Sequence, residues 1–147
     1  VWQAGPIGRD AEGKPSGWGN ANPLHLHAPD DERVFLVGDL LGKVSPLFGH
    51  YPKSAHMACQ LGRIAAEQIA ARARGTIPER RLPESVCHVF TDVEPMETMR
   101  IENNYRLRGD GLIVQTVRQH DDPQPRGEDQ VWAQELYKEM LAPPAAG

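Results

Sequence analysis

The chain has 147 residues, 39% of them hydrophobic and 24% charged, the proportions of a globular protein long enough to build a core. Sixteen basic residues stand against twenty acidic ones, and no basic run is set among aromatic residues, which argues against a nucleic-acid backbone binder. No apolar stretch approaches the roughly 18 residues needed to span a bilayer.

The chain opens on Val1-Trp2-Gln3, neither an initiator methionine nor an apolar signal, and is expected to be a piece of something longer. Residues 1–31 are rich in glycine and proline and read as irregular, with a short strand expected at 23–27, where Leu24 and Leu26 alternate with His25 and His27. Val34-Phe35-Leu36-Val37 is an unbroken apolar run closed by Gly38-Asp39, the pattern of a strand buried on both faces. Residues 40–52 carry Gly42, Pro46, Gly49 and Pro52 and read as a loop.

Ser54 is placed to cap a helix running to about Arg74, with Gly75 as its left-handed stop. Ala58, Leu61, Ala65 and Ile69 fall on one face, with Met57 and Ile64 beside them. Residues 76–83 form a linker, after which the periodicity changes to strands at 86–93, within 96–107, and at 112–117. Arg108-Gly109-Asp110-Gly111 suits a hairpin turn between the last two. Residues 121–127 read as a loop. A final helix over 128–141 sets Val131, Trp132, Leu136 and Met140 near one face, and residues 143–147 are expected to fray.

Two places invite chemistry. A glycine at a strand end lets a ligand approach the backbone, and the Asp39 carboxylate can accept from a sugar hydroxyl at the carboxyl edge of a sheet. Pro52-Lys53-Ser54 opens the small-residue helix, where free N–H groups and the Lys53 charge would favour an anionic ligand edge. Each signal taken alone is common in turns and helix caps. Cys59 falls on the helix and reads as packing; Cys87 falls in a strand. The two thiols can pair with each other, stay reduced, or pair outside the chain. His25-x-His27 on a strand face, and His56 with Cys59 on a helix, have chelating spacings, but no third ligand is placed by any motif.

Taken in order, Val34-Phe35-Leu36-Val37-Gly38-Asp39, Tyr51-Pro52-Lys53-Ser54 and Gly62-Arg63-Ile64-Ala65-Ala66 resemble the flavoprotein subunit of flavocytochrome c sulfide dehydrogenase, related to sulfide:quinone oxidoreductases. The likeness runs over about residues 17–141 and is looser after Gly75. It implies an α/β and α+β fold, the C-terminal part of an FAD-binding two-dinucleotide-binding-domain flavoprotein: residues 1–75 as a C-terminal piece of the FAD-binding domain, 76–142 as a flavocytochrome-type C-terminal flavin-binding domain, small and strand-rich with a terminal helix, and 143–147 as frayed tail. It further implies that Gly38 and Asp39 hold the ribityl or pyrophosphate part of FAD, and that Pro52, Lys53 and Ser54 face the pyrimidine end of the isoalloxazine. Cys87 would be half of a flavin-adjacent redox disulfide. The implied partners are the N-terminal portion of the same flavoprotein, a c-type cytochrome subunit and sulfide, in a periplasmic setting. The chain departs from the family pattern with Ala55-His56-Met57 after the lysine-serine pair, His88 after the cysteine, and Leu136 beside Tyr137. Alternatives are a related flavoprotein using quinone or pyridine nucleotide, and a flavin-free interaction module.

Overall fold

Ser54 starts the longest helix among the described residues. In a computed structural model, which describes residues 7–9 and 12–141, its hydroxyl accepts from the Met57 backbone N–H at 3.3 Å and opens α1, Ala55–Ala73. The hydroxyl thereby satisfies one of the donors that every helix start leaves without a partner. The other end closes as a Schellman motif: Gly75 N–H donates to Arg72 O at 3.0 Å and Thr76 N–H to Ala71 O at 2.9 Å, with Gly75 at φ +67°. The tail over 143–147 lies outside the described residues.

The buried face of α1 carries Met57, Leu61, Ile64 and Ala65, and also Gln60 and Gln68. Ile69, expected on this face, is 49% exposed, and the stripe turns toward Gln68 and Ala71 instead. Gln68 is buried because both ends of its amide are used. Its Nε2 donates to Leu24 O at 3.0 Å and its Oε1 meets His25 Nδ1 at 3.2 Å, pinning the 22–28 segment to the helix.

That segment is a turn where a strand was expected. Asn22 Oδ1 accepts from Leu24 N–H at 2.9 Å and His25 N–H at 3.1 Å, an Asx turn, and Leu26 takes φ +57°. The apolar run 34–37 is likewise not a strand buried on both faces. It pairs on one side only, through Ala28 N–H to Val34 O and Leu36 N–H to Leu26 O, each 2.7 Å. Leu36 is buried while Val34 is 40% exposed. An interior strand needs a neighbour on each side, and no second one is present among the described residues. The run ends in a 3-10 turn, Gly38–Leu40.

Among the described residues there are two sheets. β1, Ile7–Arg9, pairs antiparallel with β2, Pro15–Gly19, inside the stretch that reads as irregular in the sequence. The second has the order β3-β4-β5, with β3 at Glu84–Val93, β4 at Met96–Leu107 and β5 at Ile113–Asp122. At the expected hairpin turn, Arg108 N–H donates to Leu112 O and its guanidinium clasps Asp110, holding that carboxyl down at about 2. β5 runs to Asp122, past the expected end at 117. The final helix α2 spans Glu128–Leu141 as expected. The described residues thus form a mixed α/β structure with two sheets and two α-helices, of the α+β kind.

Residues divide into two compact units, one reaching Ser85 and adding Asn104–Thr116, the other holding Val86–Asn103 and everything from Val117. The hydrophobic core belongs to the first. Leu26, Leu36, Leu41, Val44, Met57, Leu61, Ile64 and Ile113 form one cluster, and Ser45 Oγ donates to Ile113 O at 2.7 Å beneath it. In the second unit α2 buries no residue. Trp132 and Leu136 are half-buried, but Val131 and Met140 are exposed, so the expected apolar face is only partly covered.

An aromatic group closes the first unit's core. Tyr51 and Tyr105 meet edge to face at 4.7 Å, and Phe48 lies 5.3 Å from Tyr105. Burial raises both phenols, Tyr105 up to about 12; the Tyr51 hydroxyl is buried without a hydrogen-bond partner among the described residues. A phenol whose pKa is raised on folding keeps its proton in the native state after the unfolded chain, ionising near 10, has lost it. Stability from this pair is therefore complete below about pH 10 and falls as pH rises through about 12. The expected result is that tyrosinate absorbance of these two rings appears together with loss of native circular dichroism; ionisation well before unfolding would contradict it.

Candidate functional site

The geometry at the head of α1 follows from Lys53, which precedes the cap residue. Its ammonium donates to Asp39 O at 2.9 Å and to Leu41 O, and lies 4.5 Å from the ring centre of Trp18. The lysine stem thus crosses from the helix start to the 3-10 turn and sets Asp39 beside it. Burial pushes the ammonium below the usual lysine value, while the nearby Asp39 charge acts the other way. Of its three N–H donors, two are engaged by carbonyls, and the ammonium also faces the Trp18 ring.

Gly38 has φ +64°, and a Cβ there would sit 3.3 Å from the Ala58 Cβ. The glycine is demanded by its left-handed backbone and by close approach of α1, which accounts for it with no ligand present. The Asp39 carboxylate is exposed. Ser54 is committed to capping, and Pro52 is half-buried between Tyr51 and Lys53. Gly38, Asp39, Pro52, Lys53 and Ser54 therefore gather around one helix start. The Gly-Asp pair sits in a 3-10 turn and not at a strand end, so the edge-of-sheet argument for it does not apply.

Cys87 belongs to the second unit, half-buried on β3, with its thiol 3.8 Å from the His88 carbonyl oxygen. His88 lies 5.4 Å from Trp132, and its Nδ1 is buried with no partner among the described residues. Both cysteines are free thiols. The His25 and His27 rings stack at 5.8 Å, but each Nδ1 is engaged, by Gln68 and by the Ala28 carbonyl. Among the described residues, no group of three or more His, Cys, Asp or Glu side chains is placed to hold a metal ion.

A cavity of about 300 Å³ lies in the first unit, lined by Arg9, Ser16, Trp18, Asn20, Lys43 and His50 and floored by Gly8, Gly19 and Gly42. Sequence reasoning passed it over. Its floor depends on Gly42, whose N–H donates to Gly19 O at 2.8 Å and where a Cβ would fall 2.6 Å from that same oxygen. Trp18 connects the cavity to the Lys53 ammonium.

These features define an α+β protein with a lysine-anchored helix start beside a small polar cavity, and with no helix among the described residues long and apolar enough to cross a membrane. No protein-family model and no curated protein matches the chain.

Proposed function

We propose that the chain is the C-terminal part of an FAD-dependent flavoprotein that oxidises sulfide and passes electrons to a c-type cytochrome. The observation that carries this reading is the Lys53 ammonium, tied to the Asp39 carbonyl at the head of a Ser54-capped helix. Cation, helix N-terminus and exposed carboxylate together suit a ligand with an anionic ring edge and a hydroxylated arm. The residues fit FAD in this respect: the Lys53 charge stands at the helix start, and Asp39 has an exposed carboxylate to accept from a hydroxyl.

When bound, the flavin would take two electrons from the sulfur centre and release them singly. The chain's own residues position and polarise. Lys53 and the helix start favour negative charge, Asp39 orients the sugar-like arm, and Cys87 would supply one sulfur of a disulfide with the N-terminal portion. That S–S bond breaks as sulfide forms a persulfide on one sulfur and leaves the other as a thiolate, the electron pair going on to the flavin. The N-terminal portion of the flavoprotein would bring the remaining nucleotide contacts and the second sulfur.

The flavin-free module remains as a second reading, favoured by one specific feature. The positive φ of Gly38 and its contact with Ala58 explain that glycine without a ligand. Flavin content separates the two. The complete flavoprotein is expected to purify yellow, and Asp39→Asn and Lys53→Gln are each expected to weaken FAD binding by about 10- to 100-fold, the scale of one hydrogen bond to a charged group. Because Lys53 also braces the 3-10 turn, Asp39→Asn is the cleaner variant. A colourless protein that FAD cannot reconstitute would establish the module instead.

A further inference from the structure

We propose that the cavity framed by β1, β2 and residues 42–50 binds a small phosphate-bearing molecule, with Arg9, Lys43 and His50 around its oxyanion. The chain as a whole is acidic, at −4, yet these three nitrogen-bearing side chains converge on one cavity that no described carboxylate lines. A local concentration of donors against the net charge is what a bound anion requires.

The donors are also available. Arg9 is steered by one bond, from Nη1 to Gly13 O at 2.7 Å, which leaves most of its five N–H groups for a ligand. Lys43, His50 and Asn20 make no side-chain hydrogen bond or ion pair with described residues. The Ser16 hydroxyl also lines the cavity but is engaged locally, donating to Trp18 O at 3.5 Å and accepting from Trp18 N–H at 3.3 Å.

Shape narrows the class. One face of Trp18 is covered by the Lys53 ammonium at 4.5 Å, and His50 tilts against the ring at 54°, so the indole offers no broad platform for stacking a flat ligand. About 300 Å³ is more than a bare inorganic anion fills and is at the lower end for organic ligands. A phosphomonoester of modest size meets both limits. Arginine and lysine would supply charge-assisted bonds to its oxygens, and the glycine floor keeps side chains out of the space.

The test is a titration of the full chain, labelled with ¹⁵N, first with inorganic phosphate and then with adenosine monophosphate. Saturable shifts are expected at the Gly19 and Gly42 amides and the Trp18 indole. Lys43→Gln is expected to weaken binding at least about tenfold and Lys43→Arg to restore it. Tighter binding of the nucleotide supports an organic phosphate as the source; equal binding supports free phosphate in the same oxyanion site. Absence of a saturable shift at these three groups, or equal affinity in wild type and Lys43→Gln, overturns the proposal. No flavin is present in the titration, so its failure leaves the flavin reading untouched.

Discussion

Leu61→Ala is expected to destabilise the first unit by about 2–5 kcal/mol, the range for emptying a fully buried leucine site. Leu61 is 1% exposed and sits at the middle of α1, within the cluster that includes Leu36, Met57 and Ile64. Removing its isobutyl group deletes apolar contacts with the 34–41 segment that α1 holds in place, and flanking side chains on a capped helix can collapse into the hole only partly. Ile69→Ala on the same helix provides the contrast. Helical periodicity alone puts Ile69 with Leu61, yet it is 49% exposed, so its truncation is expected to cost under about 1 kcal/mol. Urea unfolding of both variants checks the pair. Equal losses would mean that the helix buries a different face from the one described.

That contrast shows how far the sequence reaches. Ser54, the apolar spacing and Gly75 each act within a few residues, and so α1 is legible almost to the residue. The same holds for the 108–111 turn, where Asp110 answers Arg108 two positions away. The chain between Pro15 and Val37 is governed by partners far along the sequence. Gln68 fixes the Leu24–His25 turn from a distance of more than forty residues, and an apolar run at 34–37 cannot declare whether one or two neighbours will pair with it. β1 and β2 were hidden for a related reason: Gly13, Gly17 and Gly19 lower strand propensity, and only the β1–β2 pairing and the Gly42 contact with Gly19 make an extended path favourable. Of the site, the two motifs were legible in order, but not that Lys53 would reach the Asp39 backbone carbonyl, a contact fourteen residues apart that no local pattern declares. The cavity beside Trp18 was not, because its walls come from three separate stretches with no shared pattern.

Cys87→Ser in the complete flavoprotein is expected to lower sulfide turnover by at least about a thousandfold while leaving flavin content unchanged, the order of loss that follows removal of a residue that forms the covalent intermediate. Serine keeps the size of the side chain, and Cys87 is half-buried on β3 with only a long contact to the His88 carbonyl, so the strand should tolerate the change. What serine lacks is the ability to form and exchange an S–S bond, which the proposed reaction requires. Cys59→Ser serves as the control, since Cys59 lies on α1 in the first unit and has no part in the proposed chemistry. A Cys87→Ser protein turning over sulfide within about tenfold of wild type would remove Cys87 from the reaction, because a hydroxyl cannot carry sulfur through a disulfide exchange. If both variants instead lose activity together with flavin, the cysteines act through folding, and the redox role assigned to Cys87 fails with them.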